Sequence, residues 1–276
     1  MKIPKNRLCL YTSPLAGNAS MLDTIREADR LGLGGMELMN FCREIRSPDR
    51  ATIRALAEEA RGRGLAIPCF TVGIDMLPDP EAAAETLSRY AEICAEVGIS
   101  LLHHTIATDL AAWGLSEAER EARVKRCLPA VLRVSERAGS LGVRTATENQ
   151  GFVFNGADAC LRLHSLSGGR IALVADVGNL LFVDETPQDF LRKAGNAVLH
   201  AHIKDYACVD PAVEGNAYRS RAGRRFCDAE IGTGCLPPDR ILDAFSQIVY
   251  RGMFSLEFAR VRSDEEALRV IERIAE

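Results

Sequence analysis

In the stretch Val198-Leu-His-Ala-His-Ile-Lys-Asp-Tyr206, two imidazoles and an ammonium recur at every second position: His200, His202 and Lys204. A strand alternates faces with period 2, so these three side chains share one face. On the inward face of an otherwise apolar strand they are costly to desolvate unless that face opens onto a polar site. Three further strand-like runs end in a carboxylate: Thr145-Ala-Thr-Glu148, Ile171-Ala-Leu-Val-Ala-Asp176 and Phe254-Ser-Leu-Glu257. Singly, each carboxylate reads as a cap on the loop or helix that follows. Together, Glu148, Asp176, His202 and Glu257 read as one metal site drawn from distant parts of the chain. Oxygen and imidazole donors without thiolate favour one divalent ion, Mn2+ first, with Mg2+, Co2+ or Zn2+ as alternatives. Four protein ligands on a six-coordinate ion leave two positions for a substrate with a hydroxyl beside a carbonyl. The ion would polarise the carbonyl and stabilise the enediolate formed when the adjacent carbon loses its proton. Glu148 and Glu257 are the natural acid and base, and Lys204 is placed to stabilise a developing oxyanion.

Bringing four strand ends to one point constrains the fold. Strand-like runs at 7–12, 36–39, 65–72, 100–105, 143–148, 171–176, 198–204 and 254–258 alternate with helical patterns at 18–31, 48–62, 80–97, 116–141, 157–166, 187–194, 237–249 and 263–275. Helix signals agree: Pro48 sits at a favoured first position, and Ser116 with Glu119 has capping-box spacing. Pro68 cautions against regular strand geometry in the third run. Eight strands alternating with eight helices through short connections predict a single (β/α)8 TIM barrel over residues 1–276. In such barrels the site lies at the C-terminal ends of the strands. An open doubly wound sheet shares the alternation, but does not naturally gather the ends of the last four strands.

The exception to short connections is the β7-α7 loop at about 206–234. It carries Arg219, Arg221, Arg224 and Arg225, and long connections in compact domains are commonly functional or mobile. Arg221 and Arg224 are therefore candidates for meeting an anionic substrate, against a solvated loop that touches nothing. Other substrate-contact candidates are Glu37 at the end of the second strand, His104 at the end of the fourth, and Trp113, whose ring would cover a sugar face. Period 2 lets only one of His103 and His104 face the pocket. His200, one step deeper than His202, reads as a hydrogen-bonded supporting group.

With 47% hydrophobic and 26% charged residues, the composition is that of a globular protein with a sizeable core. A net charge of −4 provides no basic field for nucleic acid. No apolar run approaches the roughly 18 residues needed to span a membrane. Nine cysteines without a C-x-x-C pair, and no apolar leader, suggest reduced thiols in a cytoplasmic protein. The expected partner is a small-molecule carbohydrate, with homo-oligomerisation left open.

The motifs Gly34-Gly-Met-Glu-Leu38, Glu148-Asn149, Asp176-Val-Gly-Asn179, His202-Ile-Lys-Asp205, Ile231-Gly-Thr-Gly234 and Glu257 resemble the xylose isomerase-like sugar isomerase/epimerase superfamily. The resemblance implies a metal-dependent barrel acting on a sugar, sugar phosphate or keto-polyol. Its ketose 3-epimerase branch has His where this chain has Asn179, Glu where it has Phe154, and Arg where it has Cys208. Those departures bear on substrate more than on fold, and Asn179 joins the substrate-contact candidates. The reading is an isomerase or epimerase working through an enediolate. The alternatives are a dehydratase of a keto-polyol such as an inosose, or a non-catalytic ligand-binding barrel. A nuclease with a multi-metal, His-rich cluster fits poorly with five His and a negative charge.

Overall fold

A computed structural model describes residues 2–13, 20–210 and 217–276. The strands are β1 (Leu8–Leu10), β2 (Gly35–Met36), β3 (Leu38–Met39), β4 (Phe70–Val72), β5 (Leu101–His104), β6 (Arg144–Glu148), β7 (Ile171–Asp176), β8 (Val198–Ile203), β9 (Asp205–Cys208), β10 (Tyr218–Arg219), β11 (Arg225–Ala229) and β12 (Phe254–Leu256). Nine of them form a parallel sheet in the order β2-β1-β12-β8-β7-β6-β5-β4-β3. Its two outer members, β2 and β3, flank Glu37 and are halves of one strand. The sheet therefore closes on itself as an eight-stranded barrel, the predicted TIM barrel.

Around it run α1 (Met21–Arg30), α2 (Arg50–Gly62), α3 (Pro80–Glu96), α4 (Glu117–Ser140), α5 (Ala157–Leu166), α6 (Pro187–Ala194), α7 (Pro238–Gln247) and α8 (Asp264–Ile274). Their starts follow local chemistry. Ser20, Asp49, Asp79, Thr186 and Ser263 each accept a backbone N–H of the first turn, and Ser116 with Glu119 forms the full capping box. The expected start of the first helix at Asn18 lies outside the described residues. Regular β4 pairing begins only at Phe70, after the proline that cannot donate to a ladder. The rest of the 65–72 run contributes an isolated bridge, Gly35 with Ala66.

Inside the barrel, period 2 builds two kinds of layer. Cys69, Leu101, Ala146, Ala172 and Val174 make an apolar floor. One step further along the same columns stand Thr71, His103, Glu148 and Asp176, all buried. A register shift between Leu173 and Val174 brings Asp176 level with His202 on β8.

The connection after β8 is not a structureless loop. β9, β11 and β10 form a small antiparallel sheet, with Cys208 opposite Phe226 and Ala207 opposite Cys227. Residues 211–216 of the expected 206–234 loop lie outside the described residues. Among those described, no helix is long and apolar enough to cross a membrane.

Candidate metal and acid–base site

The C-terminal rim of the barrel brings four side chains together. Glu148 ends β6, Asp176 ends β7, His202 lies on β8, and Glu257 follows β12. One ligand atom from each lies within 4.8 Å of all the others. His202 Nδ1 is 2.8 Å from Glu257 Oε1 and 3.9 Å from Glu148 Oε1. Lys204 Nζ lies 2.7 Å from Asp176 Oδ2 and donates to Glu257 Oε2 at 3.0 Å. Gly178 makes room for it, since a Cβ there would stand 2.5 Å from Lys204 Cγ.

His202 Nδ1, Asp176 Oδ2 and His103 Nε2 are buried atoms without a hydrogen-bond partner. Each nonetheless has an ionisable neighbour within 3.3 Å: Glu257, Lys204 and Glu148 respectively. These contacts are close but not aligned for hydrogen bonding. Orphaned donors and acceptors are rare in protein interiors. Two of the three belong to the four-residue cluster. Three carboxylates and an imidazole whose Nδ1 makes no hydrogen bond fit a hard or borderline divalent cation once that nitrogen is deprotonated.

The cluster rests on a second polar layer. Glu37 is fully buried, and its Oε1 accepts from His200 Nε2 at 2.7 Å and from His202 Nε2 at 3.0 Å. Its other oxygen accepts from Thr71 Oγ1, whose oxygen is 3.1 Å from His103 Nδ1. Asn179 donates Nδ2–H to Glu148 Oε1 at 2.7 Å and N–H to Asp176 Oδ1 at 2.8 Å. Asn149 ties β6 to β7, donating to the Asp176 carbonyl and accepting its N–H.

The two glutamates sit in opposite electrostatic settings. Burial pushes the Glu148 carboxyl well above the usual carboxylate range, and the nearby Asp176 adds to the rise. Burial also opposes charge on Glu257. There Lys204 and His202 outweigh it and hold the group down at about 2. His202 is raised well above the ordinary imidazole value despite its burial, chiefly because Glu37 and Glu257 stabilise its cation.

Above Glu257 and Lys204 opens a cavity of about 460 Å³, bordered by Tyr11, Phe41, Tyr206, Phe258 and Arg260. The size suits a small metabolite. Tyr11 packs its ring 4.9 Å from that of His202. Arg260 adopts a left-handed backbone, φ 60°, on the loop after β12. A strained rim residue of this kind is worth testing for function.

Several expected contacts fall elsewhere. Glu37 lies beneath the cluster and holds His202, while His200 is the hydrogen-bonded supporting group expected, bound to Glu37 and Ser255. His104 has the wrong parity: it donates Nδ1–H to the Thr105 carbonyl at 3.0 Å, while His103 faces Glu148. Trp113 is exposed and does not border this cavity; the Arg219 guanidinium stacks on it. Arg224 pairs with Asp184 at 2.8 Å. Arg221 donates to the Phe152 carbonyl and borders a separate cavity of about 720 Å³, formed largely by α4, α5 and α6, which none of the four cluster residues lines. Both arginines thus anchor the small sheet to the barrel. Tyr11 and Phe41 were findable as aromatics just beyond strand ends. Arg260 has no comparable signal in the sequence.

A family model described as xylose isomerase-like TIM barrel matches residues 25–275. The chain belongs to that family. Solved structures with the same fold include 3-keto-D-glucoside 4-epimerase from E. coli, at 15% identity, covering 97% of each chain with a TM-score of 0.72. The probable 3-DHS dehydratase from Bacillus anthracis aligns at 16% identity over 99% of this chain and 98% of its own, TM-score 0.70. A xylose isomerase-like TIM barrel protein from Mycobacterium smegmatis in complex with magnesium aligns at 15% identity over 99% and 95%, TM-score 0.69. No curated protein matches the sequence. A 3-keto-D-glucoside 4-epimerase and a probable dehydratase therefore share the fold of this xylose isomerase-like barrel.

Proposed function

We propose that this xylose isomerase-like barrel is a divalent-metal-dependent isomerase or epimerase of a sugar, sugar phosphate or related keto-polyol. The observation that carries the reading is the convergence of Glu148, Asp176, His202 and Glu257, with ligand atoms on His202 and Asp176 that make no hydrogen bond. When bound, a cation in this cluster supplies Lewis-acid polarisation of a substrate carbonyl.

The chain's own groups account for the proton. Lys204 and His202 keep Glu257 ionised, the form that can accept a proton from the carbon beside the carbonyl, at the cost of some basicity. Glu148 reaches the cluster from β6, three places round the barrel from β12, and is the partner that returns it. The Lys204 ammonium, within 3.0 Å of both Asp176 and Glu257, balances negative charge developing on substrate oxygen. Tyr11, Phe41 and Phe258 shape the mouth around an apolar sugar face.

A dehydratase is the second reading, since the departures from the ketose 3-epimerase pattern count against that one epimerase activity and a probable dehydratase shares the fold. Phe154 is buried, Asn179 is committed to Glu148 and Asp176, and Cys208 lies against Cys235. These side chains serve the protein's own packing and hydrogen bonding.

Turnover in D2O tests both. Deuterium on recovered substrate or product is expected. An isomerase or epimerase gives a product of unchanged mass apart from deuterium, whereas a dehydratase gives one lighter by a water. Turnover without any exchange would contradict the Glu148–Glu257 pair.

A further inference from the structure

We propose that Cys208 and Cys235 are a redox-modification site that closes to a reversible disulfide. The two Sγ atoms lie 3.2 Å apart although their residues are 27 positions apart in sequence. Cys208 ends β9 and is exposed, and Cys235 is partly buried in the loop leading into α7. Bonding requires the sulfurs to approach by only about 1 Å, to the ~2.05 Å of a disulfide.

Both backbones are already fixed. Cys235 donates its N–H to the Tyr206 carbonyl at 2.8 Å, and Val209, next to Cys208, donates to the Arg225 carbonyl at 2.9 Å. The Asp205 carboxylate accepts the N–H groups of Tyr206, Gly232, Gly234 and Leu236 at 2.8–3.1 Å, stitching β9 to the loop that carries Cys235. Cys227 is excluded by strand parity. It is opposite Ala207, so it projects from the other face of the sheet than Cys208.

A small-molecule disulfide such as oxidised glutathione is the oxidant. The Cys208 thiolate attacks one sulfur of the reagent, releasing one glutathione and leaving a mixed disulfide. Cys235 Sγ then attacks Cys208 Sγ, releasing the second glutathione. The two thiol hydrogens leave on the released thiols, and the reagent's disulfide is the bond reduced. The cross-link ties β9, which continues from Lys204, to the approach of α7.

The test is to incubate the folded full chain with oxidised glutathione, alkylate it under denaturing conditions, and map peptides by mass spectrometry. Of nine cysteines, seven should be alkylated, with 208 linked to 235. Dithiothreitol should restore nine, and the oxidised form should melt at a higher temperature. C227S should cross-link as the wild type does; C208S and C235S should give no link. Nine alkylated thiols, a persistent glutathione adduct on Cys208, or a link involving Cys227 would each overturn the proposal.

Discussion

Glu37 Oε1 accepts the Nε2–H of His202 at 3.0 Å, across the break between β2 and β3. A carboxylate there fixes the tautomer and leaves Nδ1, 2.8 Å from Glu257, as the ligand-bearing nitrogen. Glu37 itself is held well below the usual carboxylate range, because His202 and His200 outweigh the opposing effect of burial.

Glu37→Gln keeps the volume but weakens that anchor. The expected result is a loss of about 10–100-fold in divalent-metal affinity, the usual cost of removing such a supporting group. Competition with a metal-sensitive dye measures it, and an unchanged affinity would place the orienting role elsewhere.

Metal binding should release protons. Burial and Asp176 hold Glu148 raised, and Glu37 with Glu257 holds His202 raised. Both groups are therefore protonated to higher pH than their ordinary values, and His202 must lose its proton to act as a ligand. The bound state carries fewer protons, so affinity should rise with pH and fall on acidification. Calorimetry of Mn2+ binding in buffers of different ionisation enthalpy should show the release; buffer-independent heats would argue against it.

Lys204→Met removes the ammonium that bridges Asp176 and Glu257. A fall in kcat of about 10²–10³-fold is expected, comparable to losing one oxyanion-stabilising donor, with metal content preserved. A variant that keeps its rate would reduce Lys204 to an ion-pair partner.

Arg224 is half exposed and paired with Asp184. Replacing it with Ala should cost less than about 1 kcal/mol of stability, as for most exposed ion pairs. It should change KM for anionic and neutral substrates alike. A selective loss of the anionic ones would restore Arg224 to the site.

The barrel was legible because alternation of strand and helix patterns extends along the whole chain and because caps such as Ser116 are local chemistry. The grouping of Glu148, Asp176, His202 and Glu257 was legible from strand ends alone, since period 2 and the rim rule of such barrels act without detailed packing. Residues placed by tertiary contacts were not. His103 and His104 are adjacent, and only the register with Thr71 and Ala146 decides which enters the barrel. Arg221 and Arg224 sit on a segment rich in positive charge, but pairing with Asp184 and the Phe152 carbonyl depends on how the small sheet folds back. Glu37 looked like a rim residue because a break in its strand cannot be seen in the sequence Gly-Met-Glu-Leu.

The most direct test is the metal content of purified protein after Mn2+ reconstitution and removal of loose ions, measured by elemental analysis on wild type, His202→Ala and Asp176→Ala. Wild type should retain close to one divalent ion per chain, and each variant should retain essentially none. A wild type without metal, or an undiminished content in both variants, would contradict the central claim that these four side chains hold the ion.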